Sequence, residues 1–278
     1  MKKTAILLII TVITSCTRTI TRLSNDESAA TTILSADSLS ASTHKDSVSL
    51  EKKAPPARGK YIYLTIDDAP LNGSKYIDSI ILSTKVKTNI FLVGNPINES
   101  KRFKRYHEIL EENPFIELYN HSYSHANHTY ANYYKNPAQV VSDFEKNSSE
   151  LNLHHRIARL PGRNLWQLGD HRKNYKQSGA EAAALLAEKG YKIFGWDVEW
   201  KYDPKDHSPR QTVDELIDEI ECFYNTSGAF TPNHIVLLMH DQMFVKTNGE
   251  NDLSKLIRKL KEKDFTFEYL SDYPEPDR

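Results

Sequence analysis

Tyr61-Ile62-Tyr63-Leu64-Thr65-Ile66-Asp67-Asp68-Ala69-Pro70 is an apolar, β-rich run that stops at two adjacent carboxylates and a proline. It reads as a buried strand with chemistry at its C-terminal end. The pattern recurs along the chain. His121 follows a strand predicted at 115–119, and Arg159 lies at the end of one at 156–160. Asp197 and Glu199 follow a strand at 191–196, and His240 follows one at 235–239. With further strands at 88–93 and 265–270, seven alternate with helical patterns near 75–86, 100–112, 137–151, 178–189, 211–224 and 251–263. Such alternation indicates parallel βαβ units in an α/β fold. An open sheet would spread the strand-end polar residues along a line, whereas a barrel gathers them at one mouth. A barrel-like fold with the site at the C-terminal ends of its strands is therefore expected.

Composition limits what such a fold can do. The 278 residues carry 36 Lys+Arg against 37 Asp+Glu, a formal charge of -1, which gives no basic field for nucleic acid. All 10 Phe, 3 Trp and 15 Tyr lie at or after Tyr61. Residues 16–59, rich in Ser, Thr, Ala and charge, lack the apolar surface that would offset ordering entropy, and read as a flexible tether. Before them, Lys2-Lys3, an apolar run from Ala5 to Ile13 and Thr14-Ser15-Cys16 read as a lipoprotein signal peptide over 1–15. Ile13-Thr14-Ser15-Cys16 resembles a bacterial lipobox, which implies cleavage before a lipidated Cys16. The expected organisation is signal (1–15), tether (16–59) and catalytic domain (60–278), anchored in a bacterial cell envelope.

Two local patterns could carry chemistry. In His121-Ser122-Tyr123-Ser124-His125, imidazoles at i and i+4 would share a face if the segment is helical, close enough to bind one ion. A solvated helix surface is the plainer reading. Asp67 and Asp68 repel each other unless a cation or proton intervenes, and successive residues diverge, so one could bind metal while the other faces a reacting water. An Asp-rich turn before Pro70 satisfies the spacing equally well.

TIDDAP (from Thr65), HSYSH, RLPGR (from Arg159), WDVEW (from Trp196) and LLMH (from Leu237) stand in the order of the five motifs of the polysaccharide deacetylase, or NodB-homology, family. That family is similar to carbohydrate esterase family four. The resemblance covers roughly residues 60–270 and implies a distorted (β/α) barrel, often of seven strands. It implies metal-dependent removal of acetyl groups from an N- or O-acetylated polysaccharide or oligosaccharide. On the matching positions, Asp68, His121 and His125 resemble the metal ligands, Asp67 the general base and Arg159 the arginine that holds that base ionised. His240 resembles the general acid, backed by a carboxylate from Glu199 or, failing that, Asp197. Gly162 would contribute a backbone N–H to the oxyanion, with Leu238 as a further substrate contact. Apart from the resemblance, the long loops expected at 162–178 and 201–211 carry aromatic and charged side chains suited to sugar rings, and Trp166 and Trp200 are the expected sugar platforms.

One carboxylate and two imidazoles suit zinc, or cobalt or nickel, over calcium or magnesium. Three departures from the family pattern stand out. Ala69 replaces a usual Gly, Gly162 and Arg163 replace an aromatic and a Gly, and the fourth motif is one residue short. They motivate an alternative, a non-catalytic glycan-binding lipoprotein that merely holds metal. The expected partners are an acetylated glycan and, through Cys16, a membrane; the chain is expected to be a monomer.

Overall fold

The computed structural model describes residues 59–245 and 249–274, so the signal segment, the tether and Cys16 lie outside the described residues. In chain order the first half comprises β1 (Lys60–Ala69), α1 (Ser74–Thr84), β2 (Thr88–Leu92), α2 (Gly94–Glu99), α3 (Lys101–Glu112), β3 (Ile116–Asn120), α4 (Tyr130–Tyr133) and α5 (Pro137–Glu150). The second half comprises β4 (Ile157–Ala158), β5 (Trp166–Leu168), β6 (His171–Lys173), α6 (Ala180–Glu188), β7 (Lys192–Ile193), β8 (Val198–Glu199), α7 (Val213–Asn225), β9 (His234–His240), α8 (Asp252–Glu262) and β10 (Phe265–Phe267).

The sheet order is β6-β5-β7-β4-β3-β2-β1-β9-β8, with β10 beside the first residues of β1. From β7 to β8 every pairing is parallel. The ends of this path, β6 and β8, do not pair with each other, so the sheet curls into a half-barrel, the distorted form of the expected fold. All seven expected strands and all six expected helices are present. Three strands were not anticipated. Trp166–Leu168 and His171–Lys173 form an antiparallel hairpin, with Gly169 at φ 55° in the first central position of a two-residue turn. Val198–Glu199 is a two-residue edge strand beside β9.

Alternation along β1 builds two cores. Ile62, Leu64 and Ile66 face the helices and join the buried stripe Val213, Leu216, Ile217 and Ile220 of α7. A capping box starts that helix: Glu215 N–H donates to Thr212 Oγ1 at 3.2 Å, and Thr212 N–H donates to Glu215 Oε2 at 2.8 Å. Tyr63 faces the concave side, where Phe91, Tyr119, Trp166, Phe194, Val236 and Tyr273 pack together. This aromatic plug fills the bottom of the half-barrel, leaving the strand-end polar residues above it.

Candidate metal and catalytic centre

The end of β1 is bulged. Ile66 pairs with Ile90 and Ala69 with Leu92, so three steps on β1 match two on β2. The extra residue is accommodated at Asp68, whose φ is 66°, a left-handed conformation that Asp tolerates better than most residues. Bulges re-aim side chains. Here the bulge turns both carboxylates toward His121, whose Nε2 lies 3.6 Å from Asp67 Oδ2 and 3.6 Å from Asp68 Oδ1. Ala69 is not itself at positive φ, so replacing the usual Gly there carries no backbone strain.

His121 to His125 is not helical. The segment is a loop with Ser122 at φ 69° and His125 at φ 48°, and the i,i+4 pairing arises from the turn instead. Asn120 and Ser122 side chains hold it by accepting Ser122 N–H and His125 N–H. Asp143 of α5 accepts Ser124 N–H, Ser124 Oγ–H and Tyr133 Oη–H. The two imidazole centroids are 5.1 Å apart.

The donor set fits a transition ion. Ligand atoms of Asp68, His121 and His125 all lie within 4.8 Å of one another. Bonds of ~2.0–2.1 Å in a tetrahedron require ligand–ligand edges of about 3.3–3.4 Å. Asp68 Oδ1 is 2.9 Å from His125 Nε2 and 3.6 Å from His121 Nε2, values that bracket that edge. Asp68 Oδ1 is buried between the two rings and lies closest to His125 Nε2. His121 Nδ1 donates to the Arg159 carbonyl at 2.8 Å, which leaves the Nε2 lone pair facing the cluster. Burial pulls the His121 ring below the usual imidazole range, keeping it neutral as a ligand must be. Burial alone would raise the Asp68 carboxyl, but the imidazoles of His125, His121 and His240 outweigh it and hold it well below the usual carboxylate range.

Arg159 is wholly buried beneath Asp67. Its Nη1 donates to Asp67 Oδ1 and to Thr65 Oγ1, both at 2.8 Å, while Nη2 and Nε donate to the carbonyls of Gly195 and Phe194. Its position is therefore over-determined, and it fixes Asp67 with Oδ2 toward the ligand cluster. Thr65, absent from the expected residues, links the two strands by also donating to the Leu237 carbonyl.

His240 is the register partner of Asp67 on the neighbouring strand, so the two stand side by side at the mouth. Among the described residues the expected carboxylate is not behind it: His240 Nδ1 is buried and has no hydrogen-bond partner among them. Glu199 pairs with Leu238, two residues short of His240, because β8 runs parallel to β9 in that register. Asp197 lies deeper still, where its oxygens accept Phe230 N–H at 2.7 Å and Val236 N–H at 3.0 Å. It ties the segment before β9 to the sheet; neither carboxylate orients the imidazole. Asp241, also unanticipated, accepts from Leu71 N–H, Gly73 N–H and Ser74 Oγ–H and so holds the loop after β1.

Gly162 occupies a turn closed by Arg163 N–H donating to the Leu160 carbonyl. Pro161 and Gly162, at φ 64°, take its two central positions, as in a type II turn. The Gly162 N–H stays outside the turn's own hydrogen bond. Trp166 and Trp200, expected as sugar platforms, are both wholly buried. Trp166 belongs to the hairpin and stacks on Phe230 at 4.3 Å in the interior plug. Trp200 packs on Phe244 and donates Nε1–H to the Gln211 carbonyl. Leu238 faces inward but is only 2% exposed, making it floor rather than contact.

Two tyrosines outside the five motifs edge onto the site. Tyr130 meets His125 with centroids 5.9 Å apart, and Tyr202 meets His240 at 4.9 Å. Burial raises both phenols, and the Asp68 carboxylate adds to both, so both remain protonated donors at neutral pH.

The buried carboxylates predict an unusual pH dependence of stability. Burial raises Asp197 and Asp241 from the ordinary carboxyl value to about 6 each. A raised folded-state value favours folding below the unfolded value and loses that favour as pH climbs through the folded one. Each group should thus cost about 1.4 kcal/mol per pH unit between roughly pH 4 and 6. Asp241→Asn should gain on the parent chain over that interval when urea unfolding is followed at each pH. A constant difference between the two chains would contradict the assignment.

Comparison with known proteins adds the family context. Residues 54–164 match the family model described as polysaccharide deacetylase. A putative polysaccharide deacetylase of Bacillus subtilis, YheN, is 25% identical, over 77% of this chain and 68% of its own. The chitin disaccharide deacetylase of Vibrio alginolyticus is 24% identical over 50% of this chain, which spans about half, 47%, of that relative. Among solved structures, the catalytic domain of a peptidoglycan N-acetylglucosamine deacetylase from Eubacterium rectale superposes with a TM-score of 0.56. It is 21% identical, over 79% of this chain and 93% of that one, a likeness of fold.

Proposed function

We propose that the chain is a member of the polysaccharide deacetylase family, whose model matches residues 54–164, and that it hydrolyses acetyl groups from an N- or O-acetylated glycan with a metal-dependent centre at Asp68, His121 and His125. The observation that carries this reading is the convergence of those three ligand atoms beside a second carboxylate, Asp67, that is held apart from them by Arg159. A divalent transition ion, zinc by the donor chemistry, would supply Lewis-acid activation of water and of the acetyl carbonyl.

The protein's own groups do the remaining work. Asp67 Oδ1 is engaged by Arg159, so Oδ2 is the atom that accepts the proton of the attacking water. The Gly162 N–H donates to the carbonyl oxygen as negative charge develops there. His240, side by side with Asp67, protonates the departing amine or alcohol. Water and the acetylated sugar thereby become acetate and the free amine or hydroxyl.

Acetate release from acetylated chito-oligosaccharides, acetylxylan and peptidoglycan fragments tests the reading. Release from at least one of them is expected. Silence on all three, with the ion bound, would leave only a glycan-binding role. The proposed setting is a bacterial cell envelope, with the chain held by lipid on Cys16. Mass spectrometry of the membrane fraction should find an acylated N-terminal cysteine, lost in Cys16→Ser; a soluble chain cut elsewhere would refute the anchor.

A further inference from the structure

We propose that Tyr130 and Tyr202 are the two walls of the sugar subsite over this centre; the proposal rests on the deacetylase reading. The two residues come from separate segments, Tyr130 opening α4 after the His121–His125 turn and Tyr202 in the loop following β8. They reach the mouth from the metal-ligand side and from the acid side. Tyr130 stands nearly perpendicular to the His125 ring, at 79°, and Tyr202 stands at 61° to the His240 ring. Each ring thus borders one of the imidazoles that an acetylated glycan would have to approach.

Neither ring is loosely placed. A Cβ added at Gly162 would lie 3.2 Å from two atoms of the Tyr130 ring, so the phenol end lies directly over the Gly162 backbone. Arg163 stands over the same ring at 5.7 Å and over Tyr134 at 4.8 Å, anchored by its bonds to Ser178. Tyr202 is fixed by a bridge to Pro209 and by contact with the His207 ring at 5.8 Å. Backbone bonds from Asp203 to Ser208 and from Arg210 to Lys201 close that loop. Both rings are half-buried, and neither hydroxyl makes a hydrogen bond among the described residues. A braced aromatic face carrying an unused hydroxyl suits a pyranose, whose C–H face stacks on the ring while its hydroxyls pair at the rim. Trp166 and Trp200, buried beneath, cannot take this part.

The test measures binding rather than turnover, in the Asp67→Asn background so that the glycan is not consumed. The probes are N-acetylchitotetraose and acetylated xylotetraose, titrated by calorimetry with metal content checked by elemental analysis. Adding Tyr130→Ala or Tyr202→Ala should weaken the better ligand by about tenfold or more, the scale of a lost aromatic contact. Tyr130→Phe and Tyr202→Phe should recover most of the loss, because the ring remains. Equal affinity in both Ala variants, or no binding of either probe by the Asp67→Asn chain, would overturn the proposal. The parent chain, assayed separately for acetate release, reports on the deacetylase reading alone: binding that depends on the tyrosines without acetate release would sink that reading and keep the subsite.

Discussion

Asp67→Asn is expected to lower the rate of acetate release by about 10²–10⁴-fold, the worth of a positioned acid–base group, while the ion stays bound. The amide cannot take a proton from water, yet it matches the carboxylate in size and can still accept from Arg159 Nη1. The ligands Asp68, His121 and His125 are untouched, so elemental analysis should return the same metal content as the parent chain. The ascending limb of the pH–rate profile should vanish with the base. A second effect falls on stability. Arg159 is fully buried, and losing the partner of a buried ion pair costs about 3–5 kcal/mol when nothing replaces it. Here Thr65 Oγ1 and two carbonyls still accept from the guanidinium, so the loss should lie at or below the lower end of that range. Asp67→Ala, which removes the acceptor altogether, should be the less stable of the two. Full turnover in Asp67→Asn would remove Asp67 from the reaction.

His125→Ala should strip the chain of its ion. It removes one of three protein ligands from a site where even outer partners are worth about 10–100-fold in affinity, so a larger loss is expected. His125 is partly exposed at the mouth, and its deletion leaves the interior plug intact. His121→Ala should lose the ion as well, but it also empties a buried position and leaves the Arg159 carbonyl without its donor. His125→Ala is therefore the cleaner variant, with the chain expected to remain folded. Elemental analysis after dialysis should read about one ion per parent chain and a small fraction of that in the variant. Undiminished metal in both variants would contradict the assignment of the ligands.

The strands and helices were legible because apolar runs and helical periodicity are local signals. Tyr61 to Ile66 reads as a buried strand before any neighbour is known, because the run stops at Asp67 and Asp68. The candidate residues Asp67, Asp68, His121, His125, Arg159 and His240 come together at the end of one half-barrel, as their strand-end positions suggested, while the roles assigned to them remain proposals. What was not legible depends on register and on where loops fold back. The Leu168-Gly169-Asp170-His171 turn makes a hairpin from a stretch that reads as an exposed loop, and so carries Trp166 into the interior. Only the pairing of Glu199 with Leu238 shows that Glu199 stops two residues short of His240. The left-handed Asp68 could have been suspected, since Asp is among the few residues that accept that conformation, but the bulge that demands it is a property of two strands.

Removal and return of the ion tests the central claim most directly. The parent chain is stripped with a chelator, dialysed and assayed for acetate release from an acetylated oligosaccharide, then reconstituted with one equivalent of zinc. Release should fall to background on stripping and recover on reconstitution in the parent chain, but not in Asp67→Asn, although both bind the ion. Acetate release that is indifferent to the chelator, or recovery in Asp67→Asn equal to that of the parent, would contradict the account.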